Sequence, residues 1–418
     1  MEIPNDIDPI EQETLNRLML SLEKPPVVRL QDNHIVEIKI MDSPISDISI
    51  ISRFKMLSAL HIVNCKRIND FSFIAKLKNL EVLDLSYTNV SDLSFLRNLS
   101  KLSSLILKGC FNITNIGPIG KLRNLEILIL DKTLIDNVKP ISKLKKLQKL
   151  SLWSCKYIDN FKPLAKLINL QELNLGSTEF ADAEVLQKLK KISILVLCNC
   201  NNFSDGKHIG KMKNLRMLYL DYTNINDFNF ISSLINLEVL SLQGCRVRNI
   251  NFIGHLSQLE SLDLSSTNIR NIKPIKKVKN LKILNLMNCQ FLDNIEPIAD
   301  LKKLEVLDIG RTGVDDIGPL GQLEMLKVLN ISDCYIHDLS PISKLANLER
   351  LYVNGVPAKD FTPIINLAKK FGRLKIVGAR NTDISHNEIK QLEKLGVRVL
   401  TQPTILQNIE SYPKRHTN

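Results

Sequence analysis

The chain has little of what marks a catalytic, secreted or membrane-spanning protein. Aromatic residues make up 5% of its 418 positions, with a single Trp, and the seven His (His34, His61, His208, His255, His337, His386, His416) fall at unrelated places. It contains no G-x-S-x-G, no phosphate-binding glycine loop and no H-E-x-x-H, so no enzymatic activity and no cofactor are expected. The eight Cys include no C-x-x-C pair, which removes the usual zinc spacing; no metal site is expected. No apolar run approaches the ~18 residues of a membrane span, and Met1 to Glu11 has no basic stretch leading into an apolar one. A cytoplasmic chain is the expectation, with the nucleus as the other compartment that fits. Gly and Pro, at 16 each, are too few for a collagen-like or disordered composition.

What the chain does have is a repeat. Leu80 to Lys101 aligns position by position with Leu125 to Lys146, and the shared unit reads L-x-x-L-x-L-x-x-[C/T]-x-x-I-x-x-I-x-P-I-x-x-L. Fifteen units start at Ile35, Leu57, Leu80, Leu102, Leu125, Leu147, Leu170, Ile192, Leu215, Leu237, Leu259, Leu281, Leu304, Leu326 and Leu348, spaced by 22 or 23. The L-x-L segment predicts a three-residue strand too short to stand alone, so the units must stack, with their strands in one parallel sheet. The half containing I-x-P-I returns as a 3₁₀ or irregular turn, where Pro118, Pro140, Pro163 and their equivalents cost no ladder N–H. Strands need about 4.8 Å per unit and the returns more, which predicts a curved solenoid with the sheet on the concave side.

These residues resemble the leucine-rich repeat family in its short 22-residue class, which includes internalins and a regulatory subunit of protein phosphatase 1. The ninth position alternates between hydroxyl and thiol from Ser43 and Cys65 through Thr312 and Cys334, which makes the larger unit a pair of about 45 residues, such as Leu102 to Lys146. Pairs such as Ser86-Tyr87-Thr88 and Gly109-Cys110 are similar to repeats of trypanosomatid adenylate cyclase regulatory proteins. The resemblance implies an α/β horseshoe solenoid and a regulatory, non-catalytic role toward a signalling enzyme such as a phosphatase or adenylate cyclase. A zinc-dependent ligase role is not carried over, because the C-x-x-C pairs it needs are missing.

The ninth side chain must be small, inward-facing and able to hydrogen-bond to strand-end backbone groups. Thiols in alternate units lie two strand spacings apart, beyond disulfide reach. The expected organisation is an N-terminal helical cap over 1–34, repeats over 35–373, a capping unit over 374–401 and a mobile polar tail over 402–418. Asp8-Pro9-Ile10-Glu11 predicts a helix start, with the helix running to about Leu22, and Ser385-x-x-Glu388 predicts a capping box for a helix closed by Gly396.

Positions five, seven and eight are expected to be exposed on the concave face. They hold Asp84, Asp131, Asp221, Asp263, Asp308 and Asp333 against Lys108, Lys132 and Arg311, a mildly acidic face on a chain of net charge +12. They also hold Trp153 and four of the seven Tyr (Tyr87, Tyr219, Tyr222, Tyr352), but no Phe. Rings with a polar edge on an exposed strand are typical interface anchors. The predicted partner-binding residues are Trp153, Tyr219, Tyr222, Tyr87, Ile106, Ile129, Val196 and the rim acids Asp131 and Asp221, together fitting a basic, partly apolar protein segment. A second possibility uses the basic return side, including Lys76, Lys78 and Lys143 to Lys146, to bind nucleic acid or an acidic membrane surface. The aromatics lie on the opposite face, which disfavours nucleic acid.

Overall fold

The computed structural model describes residues 7–402; the predicted tail lies outside these except for Gln402, as does the start of the N-terminal segment. The chain forms two compact units, Met1–Phe203 and Ser204–Asn418, each built from the same repeat.

The first unit opens with helix α1 (Pro9–Leu20), whose N-cap Asp8 accepts from the N–H groups of Ile10 and Glu11. Leu15 and Leu18 are buried while Ile10 is exposed. Glu11 is buried and its Oε2 accepts the Ile35 N–H at 2.7 Å, tying the helix to the first repeat strand. Between them the backbone makes an antiparallel hairpin, β1 (Val27–Gln31) against β2 (His34–Met41), which the repeat pattern did not reveal. From β2 onward every pairing in this unit is parallel, through Ala59–Val63, Val82–Asp84, Ser104–Ile106, Ile127–Ile129, Lys149–Ser151, Glu172–Asn174 and Ile194–Val196. The second unit continues the pattern, from Met217–Tyr219 to Arg398–Leu400, again with parallel pairings. Its last repeat carries helix α2 (Thr362–Phe371), stopped by left-handed Gly372, and helix α3 (His386–Lys394) starts at a full Ser385/Glu388 capping box. α2 is a second element that the repeat pattern did not reveal.

Within each unit the Leu and Ile positions of the repeat fill the interior at essentially zero exposure. Short 3₁₀ turns such as Ser72–Lys76 and Lys273–Lys277 close the opposite side. Position eight of each repeat sits at positive φ, from Asn64, Tyr87 and Lys132 in the first unit to Tyr222, Ser266 and Arg311 in the second. That left-handed residue turns the chain out of the strand, which is why Asn, Ser and Gly are frequent there.

The ninth position shows which repeats belong together. Thr88 Oγ1 donates to the Leu85 carbonyl at 2.7 Å, and the Cys110 Sγ of the next repeat reaches the same oxygen at 3.0 Å. The pattern recurs on Leu130 with Thr133 and Cys155, and on Leu220 with Thr223 and Cys245. The physical pair is therefore a Thr repeat followed by a Cys repeat, the reverse phase of the Leu102 to Lys146 pairing suggested by sequence.

Candidate functional site

The open strand face can be built column by column. The first requirement is to satisfy the N–H of position seven, which the three-residue strand leaves unpaired. An Asp or Asn at position five of the same repeat does this: Asp84 accepts from Ser86 N–H at 2.9 Å, Asn174 from Gly176 at 2.9 Å, Asp263 from Ser265 at 2.8 Å and Asp308 from Gly310 at 2.9 Å. Where position five is Ser, the acid comes from position seven of the preceding repeat. Asp131 Oδ1 accepts the Trp153 N–H at 3.0 Å and the Ser151 hydroxyl, and Asp221 does the same for the Gln243 N–H at 3.0 Å and the Ser241 hydroxyl.

This corrects the acidic face. Asp131, Asp221 and Asp308 are buried, with Asp221 only 1% exposed; they accept backbone hydrogen bonds instead of forming a rim for a visitor. Burial pushes the Asp131 carboxyl above its ordinary value, against the opposing pull of Ser151, the Trp153 N–H and the nearby Lys108 and Lys132 charges. Tyr219, at 4% exposure, and Val196 are likewise buried rather than presented, because side chains of the flanking strands, about 4.8 Å away, cover them. Tyr222 is exposed, while Tyr87, Trp153, Ile106 and Ile129 are half-buried.

Four of the five rings follow one rule. Each of these lies over a glycine at the matching position of the following repeat: Tyr87 over Gly109, Trp153 over Gly176, Tyr222 over Gly244 and Tyr352 over Gly378, whereas Tyr219 is paired with Ser241. A Cβ on Gly109 would come within 2.4 Å of Tyr87 Cδ1, one on Gly244 within 2.3 Å of Tyr222 Cε1, and one on Gly176 within 2.8 Å of Trp153 Cδ1. The missing side chain is the seat of the ring. The signal was readable in sequence as an aromatic followed one repeat later by glycine.

In the first unit the structure brings Ile106 and Ile129 together as register partners, with Ile127 and Val82 in a further column at position three. The alternation that puts five and seven on one face places position three there as well. Ile127 is exposed. Val196 stands three strands from Ile129, beyond Ser151 and Asn174. The accessible charges beside the isoleucines are Lys108 and Lys132 at the end of the strands and Glu81 and Glu126 at their start. Lys132 Nζ lies 5.0 Å from the centroid of the Trp153 ring. The rim next to Trp153 is thus basic, opposite in sign to the sequence expectation.

In the second unit, position two carries alternating pairs across neighbouring repeats: Arg216 with Glu238, Lys282 with Glu260 at 2.9 Å, Lys327 with Glu305 at 2.7 Å and Lys375 with Glu349 at 2.7 Å. On the turn side the lysine heads also have partners. Lys101, Lys146 and Lys191 each donate at 2.8 Å to Asn79, Asn124 and Asn169 of the previous repeat, whose amides donate to carbonyls one repeat further back. Among the described residues no group of His, Cys, Asp and Glu is placed to hold a metal ion, and no helix is long and apolar enough to cross a membrane.

Comparison with known proteins agrees with this architecture. A leucine-rich repeat region model matches residues 34–273, and a model of two leucine-rich repeats matches residues 257–299. The chain belongs to the leucine-rich repeat family. Among solved structures it is similar to a Leptospira interrogans leucine-rich repeat protein, with 24% identity, a TM-score of 0.73 and coverage of 85% of this chain and 92% of that one. It is also similar to a Listeria monocytogenes internalin, with 19% identity, a TM-score of 0.61 and coverage of 91% and 96%. The Drosophila Toll–Spatzle complex matches with 15% identity, a TM-score of 0.60 and coverage of 86% and 52%. These likenesses describe the fold and do not support the phosphatase or cyclase partner implied by the earlier resemblance. No curated protein matches the chain.

Proposed function

We propose that the chain is a non-catalytic, cytoplasmic protein-binding scaffold that docks a partner protein on its strand face. The carrying observation is the first unit's apolar surface of Ile106, Ile127 and Ile129, beside a tryptophan held in place on Gly176. Rigid aromatic anchors next to aliphatic surface, bordered by charge, have the composition of an interface centre. With Lys108 and Lys132 on one border and Glu81 and Glu126 on the other, the surface suits an apolar segment whose own charges are divided the opposite way, acidic toward the lysines and basic toward the glutamates. Tyr222, exposed in the second unit, is a separate candidate contact. That the Toll structure is a complex with Spatzle adds a precedent for this fold holding a ligand.

The alternative, in which the basic turn side grips nucleic acid or an acidic membrane surface, is weakened by the lysine heads bound to Asn79, Asn124 and Asn169. Affinity capture from the native cell distinguishes the two readings. The double variant Ile127→Asp, Ile129→Asp is expected to lose the partner protein that the wild type enriches, with an unchanged far-ultraviolet dichroism spectrum. Retention of the whole partner set, or enrichment of nucleic acid instead, would overturn the proposal.

A further inference from the structure

A cavity of about 430 Å³ opens in the second unit, away from the strand face, lined by Arg246, Arg248, Asn226, Asn229, Asn249 and Asp227. Its floor is formed by the buried rings of Phe228 and Phe252, whose centroids are 6.1 Å apart. Arg246 and Arg248 are exposed while Val247 between them is 1% exposed, so both guanidinium side chains leave the same side of the backbone. Among the described residues neither arginine forms an ion pair, although carboxylate partners hold Arg216 and Arg311.

The charge at this place is local. Three residues after the ninth position, the other short repeats carry Ser46, Ser91, Asp136, Ala181, Asn226, Asp315 and His337, but two successive repeats carry Arg248 and Arg270. The Arg270 guanidinium lies 4.5 Å from the centroid of the Phe291 ring, which adds a third positive charge one repeat on. One carboxylate opposes them: Asp227, whose Oδ1 already accepts the Asn229 N–H at 2.9 Å.

We propose that this cavity binds a phosphate monoester. Two guanidinium groups with no acid partner, together with three primary amides, supply the many convergent N–H donors that a tetrahedral dianion accepts, whereas a carboxylate would engage fewer of them. The volume exceeds that of a bare phosphate and lies in the range of small-ligand sites, leaving room for the ester's carbon side over the phenylalanine floor. This inference concerns a different unit and surface from the proposed protein-docking face, so either can fail without the other.

Isothermal titration of the full chain at ~150 mM salt, with inorganic phosphate, a phosphoserine peptide and the same peptide unmodified, tests it. Saturable binding of phosphate or of the phosphopeptide is expected, with the tighter of the two identifying the source, and no binding of the unmodified peptide. Arg246→Ala and Arg248→Ala should each weaken binding about tenfold or more. Asp227→Asn, which keeps the cap to Asn229, should tighten it about threefold. The exposed turn-side variant Lys78→Ala, carrying the same charge change, should leave it unmoved. Equal loss in Lys78→Ala, affinity unaffected by both arginine variants, or equal binding of the unmodified peptide would overturn the proposal.

Discussion

Tyr87 and Gly109 show how a residue acquires meaning only through its neighbour in the next repeat. Tyr87 is held at φ 59°, a conformation disfavoured for a large side chain, and Gly109 at φ 69° leaves the space its ring occupies. Gly109→Ala adds a methyl that collides with that ring to the cost of a left-handed alanine, and is expected to destabilise the chain by about 2–4 kcal/mol. Gly372→Ala, also left-handed at φ 62° but with nothing within 4 Å of the added carbon, should cost about 1 kcal/mol. Combining Gly109→Ala with Tyr87→Ala should recover much of the first loss, a coupling measurable by urea unfolding of the single and double variants. Additive losses would mean that the ring does not rest on Gly109. At this scale the sequence located the rings in the strand columns but misread their surroundings, because burial of Tyr219 and Asp131 is decided by the flanking strands and not by their own position in the repeat.

Among the repeated elements, pitch, strand position and the Pro-containing returns were legible because each is set by apolar spacing within one repeat. What was not legible depends on contacts between repeats. The β1–β2 hairpin is a non-repeating addition to the first strand, and the phase of the Thr–Cys pair is visible only where Thr88 and Cys110 meet at the Leu85 carbonyl. The acids were read as surface charge because sequence does not show that Ser151 leaves the Trp153 N–H to be capped by Asp131. That cap gives a pH prediction. Since burial raises the Asp131 carboxyl in the folded chain, its contribution to stability is fully present below the ordinary carboxylate value and is lost as pH rises through the raised one. Asp131→Asn keeps an acceptor for both donors and carries no charge. Its stability relative to wild type should therefore rise from about pH 4 to above the raised value and then level off, as followed by urea midpoints. A constant deficit at every pH would show that the carboxylate is needed for the cap itself.

For the whole molecule, the alternating thiols act as evenly spaced reporters. Seven of the eight cysteines are buried, each within hydrogen-bonding reach of a carbonyl of the preceding repeat, while Cys198 is partly exposed. Burial pushes Cys155 and Cys200 up to about 11 and moves the other buried thiols in the same direction, so at neutral pH almost no reactive thiolate exists at those sites. In the native chain, an aromatic disulfide reagent in excess is expected to modify Cys198 within minutes and to leave the rest unmodified. Repeats exchange stability with their neighbours and not with distant parts of the chain, so the buried thiols within one compact unit should become reactive together. Labelling at increasing urea, read by peptide mass, should therefore show Cys65, Cys110, Cys155 and Cys200 in one transition and Cys245, Cys289 and Cys334 in one transition. Early reaction of a single buried cysteine ahead of its neighbours would show that its repeat opens alone, and the stacking of matched Thr–Cys pairs would then not be what holds each unit together.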